Sequence, residues 1–364
     1  MVDGVTLPAP RDGSPAVPRL ADIAAQARVS EATASRVLNG RPGVAHSTRQ
    51  RVLAALDLLG YERPTRLRRR SAGLIGLVTP ELTNPIFPAF AQVVEQALAG
   101  YGYTPVLCTQ IPGGATEDEL VEQLEERGVN GIVFLSGLHA DTTADPRRYA
   151  RLTERGVPFV LINGYNERIR APFVSPDDRS AVRMAVRHLA DLGHRRIGLA
   201  VGPDRYVPSR RKAEGFADAL AEILGTPRDE AELHVRRTLF SVEGGHAAAG
   251  SLLEQGCTGL VCGSDLMALG AVRAARERGL DVPADLSVVG FDDSQLVAFT
   301  DPPLTTVRQP VHAMATAAVG ALLEEIAHQT VQRTEFVFQP ELVVRGSTAQ
   351  WVPGDGADVR GASA

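Results

Sequence analysis

Residues Leu20–Pro64 read LADIAAQARVSEATASRVLNGRPGVAHSTRQRVLAALDLLGYERP. Three short amphipathic patterns lie in this stretch. Leu20, Ile23, Ala24 and Ala27 share one face at helical spacing. After a turn at Arg28-Val29, Ser30 is a good N-cap and Glu31 suits the positive end of the helix dipole. This second helix is expected to run to Asn39, with Gly40 ending it. Ser47-Thr48-Arg49-Gln50 reads as a capping box for a third helix, which turns Val52, Leu53, Leu56 and Leu59 inward before Gly60. The first two patterns have the spacing of a helix-turn-helix, whose second helix enters the major groove of DNA. Its outer face offers Glu31, Ala32, Ser35 and Arg36, while Ala34 and Val37 pack inward. Arg36 suits a bidentate contact with guanine; Ser30, Thr33, Ser35, Asn39 and Thr48 suit phosphates.

Charge supports a nucleic-acid-facing head. The 364-residue chain has a net charge of −5, but residues 1–73 balance at +6 and the remainder at −11. Residues 1–18, rich in proline and small residues, read as an unstructured extension. The helical head then covers 19–63 and a hinge 64–73, in which Arg66-Leu67-Arg68-Arg69-Arg70 reads either as a phosphate-seeking segment or as a solvated linker.

From residue 74 the texture changes. Eight β-rich runs, from Leu74–Val78 to Leu286–Phe291, alternate with helical stretches such as Glu117–Arg127 and Met267–Arg278. That alternation predicts an α/β body of parallel sheets covered by helices. Turns near Ser175-Pro176 and Pro302-Pro303 suggest crossovers between two lobes, and residues 349–364 read as a loose tail.

Several functions are excluded or disfavoured. No apolar run is long enough to span a bilayer, and the N-terminus has no signal-peptide pattern. Cys108, Cys257 and Cys262 suit neither a disulfide framework nor zinc, so a reducing cytoplasm is expected. The GxSxG elbow, the P-loop and a GxGxxG after the first strand are absent, so neither catalysis nor a metal or cofactor is expected. Asp292-Asp293 at a strand end should point in different directions, and His188 and His194 read as surface histidines.

The literal residues resemble the LacI/GalR (lactose-repressor) family. In the head the resemblance rests on Asp22, Ala24, Val29, Ser30, Thr33, Ser35 to Asn39, Val44, Thr48, Arg49, Val52, Ala55, Gly60 and Tyr61. It continues through GLVTPELTNPIFPAF, GHRRIGLAVGP, GSDLMALGAVRAARERGLDVPADLSVVGFDD and PPLTTVRQP. The resemblance implies a periplasmic-binding-protein-like body, 74–348, of two doubly wound lobes: 74–174 with 308–338, and 175–307 with 339–348. It also implies a homodimer on a pseudo-palindromic operator, most simply a repressor released allosterically by a sugar; a purine-type corepressor is the alternative logic. Three departures stand out. Arg28 replaces the turn glycine, Arg19 replaces a capping threonine, and Ser71 occupies the place of the leucine that wedges into the minor groove. Leu67 is the only apolar candidate nearby for that wedge, and Arg68, Arg69 and Arg70 add charge instead.

By the same resemblance, the effector contacts fall on Phe87, Asn163, Lys212, Phe240, Ser264, Asp265 and Asp292. Lys212 is the chain's only lysine and stands where the family carries arginine. A point donor there, in place of a planar fork, suggests a neutral glycoside held by one strong hydrogen bond, with Asp292 gripping other hydroxyls.

Overall fold

The computed structural model describes residues 19–38, 43–59, 72–110, 113–329 and 331–352. The extension 1–18, Asn39, the hinge residues Leu67, Arg68 and Ser71, and the tail beyond Val352 lie outside them. The chain divides between Arg70 and Ser71 into two units.

The N-terminal unit contains α1 (Leu20–Gln26), α2 (Glu31–Leu38) and α3 (His46–Leu59). Ile23, Ala24, Ala27, Ala34, Val37, Val52 and Ala55 form its core, with Leu20, Val29 and Val44 packed around them. The Ser30 Oγ accepts from the Thr33 amide at 3.2 Å and so caps α2. Arg28 takes φ +52°, a left-handed conformation that glycine adopts at no steric cost. The cap lost at Arg19 is half replaced, because the Asp22 carboxylate accepts from the Arg19 amide at 2.6 Å. Ser47–Gln50 does not start α3: the helix begins at His46, with the Ala45 carbonyl accepting from Arg49 N at 2.9 Å.

In the larger unit, β1 (Gly73–Thr79), β2 (Tyr103–Thr109), β3 (Gly131–Leu135), β4 (Phe159–Ile162), β5 (Phe173–Pro176) and β11 (Glu335–Phe338) form one sheet. It is parallel throughout, in the order β11-β5-β4-β3-β1-β2. β3 and β4 are buried along their whole length because helices cover both faces. On one face, Phe90, Val94 and Leu98 of α4 (Ile86–Tyr101) meet Met314, Ala318 and Leu322 of α12 (Val311–Ile326) over Ile75 and Leu77. On the other, α5 (Glu117–Glu126) and α6 (Arg147–Glu154) enclose Val78, Phe134 and Phe173.

The second sheet runs β12-β10-β9-β8-β6-β7, from β6 (Ile197–Val201), β7 (Val235–Arg237), β8 (Gly259–Cys262), β9 (Ser287–Asp292), β10 (Thr305–Arg308) and β12 (Glu341–Val343). Only β12 is antiparallel to its neighbour. α7 (Asp178–Asp191) and α8 (Val207–Leu224) cover one face, and α9 (Arg228–Leu233) packs beside them. α10 (Val242–Glu254) and α11 (Asp265–Glu277) cover the other. These two helices approach closely because both lack side chains at the contact. A Cβ on Gly245 would lie 2.1 Å from the Met267 carbonyl oxygen, and one on Gly270 2.0 Å from that of Val242.

Some expectations need correcting. β5 carries Ser175 and Pro176 in the first sheet, and β10 carries Arg308 in the second, so the chain changes lobe at Asp177 and Gln309. Pro302-Pro303 is not a crossover; it leads into β10 inside the second lobe. Four strands (β5, β10, β11 and β12) were not expected, since their short runs mix polar residues and proline with apolar ones. The expected loose tail begins too early. Trp351 N donates to the Leu192 carbonyl at 2.7 Å, and its ring lies 5.8 Å from that of His194. His194 is accordingly buried rather than at the surface, bonded to Thr258, Ser287 and the Ala349 carbonyl.

Candidate DNA-reading helix and interlobe cleft

On α2, Glu31, Ala32 and Arg36 are exposed, Thr33 and Ser35 half-buried, and Ala34 and Val37 buried. Ala32 and Arg36, one turn apart, share the outer face. Thr48 and Arg49 on α3 are half-buried, and Thr48 Oγ1 accepts from Arg51 at 3.4 Å. An exposed guanidinium on a capped helix, held against α1 by an alanine-rich core, can approach base edges without unfolding its support.

The cleft lies at the carboxyl ends of both sheets, where open α/β sheets bind ligands. Asp292 ends β9 with φ +116° and is buried. It accepts from Gln309 Nε2 at 2.6 Å, and the Asn84 amide of the first lobe also bonds to it. Burial pushes its carboxyl well above the usual range, and neighbouring Asp265 pushes the same way. Asp293 turns elsewhere, to Arg308 at 2.7 Å and Arg345 at 2.5 Å. The two carboxylates therefore diverge, as expected.

Asp265 and Ser264 hold the site together from below. The Ser264 Oγ accepts from Met267 N at 3.3 Å and caps α11. Asp265 accepts from Ser294 N and Oγ, at 2.7 and 2.9 Å, and from Thr306 Oγ1 at 2.6 Å. It thereby ties α11 to β10 and to the turn after Asp292, and burial raises its pKa to about 6. On the other lobe, Asn163 follows β4 at φ +68° and donates to Ser136 Oγ at 2.6 Å. Phe87 is half-buried on the α4–α12 core. Phe240 is half-buried on the α10–α11 core and lies across Gly202, where a Cβ would come within 1.9 Å of its ring.

Lys212 departs most from expectation. Its ammonium does not reach solvent; it donates to Asp178, and both side chains are almost fully buried. The Phe291 ring covers it, 3.9 Å from Nζ to centroid. A buried ammonium needs a counter-charge, and Asp178 at the start of α7 supplies it. Adjacent Arg211 is also engaged, making a bidentate pair with Glu335 of the first lobe at 2.6 and 2.8 Å.

Two polar side chains beside Asp292, Asn84 and Gln309, and a third on α8, Ser209, escaped the sequence reading. Asn84 is buried and bonded to Ile86 N at 3.2 Å, while Ser209 Oγ and Gln309 Oε1 are buried and accept or donate no hydrogen bond. Asn84 stands in the same TNPIF run as Phe87, and Gln309 ends the PPLTTVRQ run, so both were in view. Ser209 carried no signal beyond its place in the first turn of α8. Among the described residues no cluster of His, Cys, Asp and Glu could hold a metal, and no helix is long and apolar enough to cross a membrane.

Residues 19–64 match the bacterial regulatory proteins of the lacI family, and residues 186–348 match the periplasmic binding protein-like domain. The chain is 98% identical over 350 residues to the HTH-type transcriptional regulator in the aml 5′ region of Streptomyces limosus, covering 96% of this chain and all of that one. It is 65% identical to the HTH-type transcriptional regulator MalR of Streptomyces coelicolor, over 93% of this chain and 98% of the relative. Among solved structures, the transcriptional regulator CelR–cellobiose complex matches with TM-score 0.67 and 32% identity, over 91% of this chain and 99% of that one. The lac repressor dimer bound to operator matches with TM-score 0.66 and 27% identity, over 91% and 99%. The relatives are regulators rather than enzymes, and their likeness spans head and body together. The chain belongs to the LacI family of helix-turn-helix transcriptional regulators.

Proposed function

We propose that this regulator is a cytoplasmic repressor of carbohydrate-utilisation genes, released from its operator by a neutral sugar bound between the lobes. Two copies would read the half-sites of a pseudo-palindrome through α2, with Arg36 as the main base contact. The lac repressor dimer on its operator supports the symmetry, and the cellobiose complex of CelR supports the ligand class.

The observation that carries the reading is the charge balance of the cleft. Lys212 is neutralised by Asp178 and Arg211 by Glu335, so neither is available to a phosphate. What remains is Asp292 with two neutral partners, Asn84 and Gln309, the second keeping a buried oxygen without a hydrogen bond. Hydroxyl groups satisfy such atoms at both ends, since each donates and accepts. Phe87, Phe240 and Asn163 would add apolar faces and an amide to such a site. Effector binding biased toward one lobe arrangement would shift operator affinity by ~1–3 kcal/mol.

A thermal-shift panel of cellobiose, maltose, glucose 6-phosphate and hypoxanthine on the full chain tests this. A neutral disaccharide should raise the midpoint and weaken operator binding. Stabilisation by the sugar phosphate or the purine alone would overturn the reading.

A further inference from the structure

We propose that Asp141-Thr142 of the first lobe and Arg205-Tyr206 of the second form a clasp that shuts the cleft before any ligand arrives, so that the effector enters by parting it. Thr142 donates twice to the Arg205 carbonyl, from N and from Oγ1, each at 2.8 Å. Asp141 and Tyr206 form an isolated antiparallel bridge, and Arg205 Nε lies 3.2 Å from Asp141 Oδ2. These loops follow β3 and β6. The lobe-changing segments instead join β5, β10, β11 and β12, which lie at one edge of each sheet, with β3 and β6 further in. With strands ~4.8 Å apart, β3 stands ~10 Å from β5 and β6 ~14 Å from β10, so the clasp bridges the lobes apart from those segments.

The first-lobe half is built in advance. Asp141 Oδ1 accepts from Thr143 N at 2.9 Å and from Thr143 Oγ1 at 2.6 Å. Behind it, Leu138 N donates to buried Glu117 at 2.8 Å, and buried His139 bonds to the Ile162 carbonyl at 3.1 Å. The second-lobe half is lighter: the Arg205 guanidinium lies over the Tyr206 ring at 4.9 Å and is half exposed. A half-exposed ion pair contributes little, so the two hydrogen bonds from Thr142 do most of the holding. Bonds of that number hold a resting state yet still yield to thermal opening, which is what an entry gate requires.

The test uses the full chain carrying Asp141→Cys and Tyr206→Cys in a Cys108→Ser background; Cys257 and Cys262 are buried. Bridge partners have Cα atoms ~4.5–5.5 Å apart, within disulfide range, and Thr142 keeps its bonds to Arg205. Under mild oxidant and without sugar, the cross-link should form at least ~10-fold faster than in the same chain in denaturant, as expected for thiols held together. Formation no faster than in denaturant would overturn the clasp, and this arm does not depend on what the effector is. Small-angle scattering provides a second readout: the Asp141→Ala, Thr142→Val double variant should have a larger radius of gyration than the parent without ligand, and an unchanged radius would count against the gate.

Discussion

Removing the ammonium of Lys212 should expose how the cleft floor is held. In Lys212→Met the thioether fills most of the space, but Asp178 remains buried with no counter-charge. Breaking one side of a buried pair costs about 3–5 kcal/mol, and loss of the contact with the Phe291 ring adds about 1–2 kcal/mol for a desolvated cation. At roughly 2–4 °C per kcal/mol for a domain of this size, the body should melt about 8–28 °C lower. The double variant Lys212→Met, Asp178→Leu removes both charges and should recover most of the loss, since apolar replacements of a buried pair are close to neutral. The deficit also has a pH signature. Burial already raises the Asp178 carboxyl, against the pull of Lys212. Without the ammonium it rises further, so the single variant's deficit should shrink as pH falls toward the unfolded carboxylate range near 3.8. Calorimetric scans of the three proteins at pH 7.5 and about pH 4.5 check this. A single variant as stable as the parent, or a double variant no better than the single, would refute the buried-pair account.

Arg36→Ala should abolish discrimination of the operator, at ~1–3 kcal/mol per half-site, while weak salt-sensitive DNA binding persists; footprinting with an unchanged protected site would contradict the role given to α2. Gly270→Ala should destabilise the body by ~1–3 kcal/mol, because its Cβ would meet the Val242 carbonyl at 2.0 Å and push α10 from α11; urea denaturation reads the shift. His139 is held neutral by burial, with its pKa lowered from 6.5 to about 4. Its contribution is complete above pH 6.5 and lost as pH falls toward 4, so His139→Gln should flatten the stability profile in that window, measured as the difference from the parent.

The head and the doubly wound body were legible because their signals are local. Ser30 followed by Glu31 marks α2 whatever surrounds it, and runs such as GIVFL admit few environments other than a two-faced parallel sheet. The short strands were not legible. EFVF gains its identity from β5, 162 residues earlier, and ELV from β10, more than 30 residues earlier. The cleft was half legible. Asp292 sits where the motif puts it, whereas the fate of Lys212 depended on Asp178, 34 residues earlier, whose reach no spacing rule reveals. His194 was misread for a similar reason: its partners Thr258, Ser287 and Ala349 come from three separate segments.

The central claim is that a neutral sugar in the cleft loosens a sequence-specific grip on DNA. Fluorescence anisotropy of the full chain on a duplex selected from random sequence, with and without saturating disaccharide, tests it most directly. The account predicts strong preference for a pseudo-palindrome over unrelated DNA and an affinity about 5- to 150-fold weaker with sugar. Equal binding to unrelated DNA, or an operator affinity unmoved by every neutral sugar yet changed by a sugar phosphate, would contradict it.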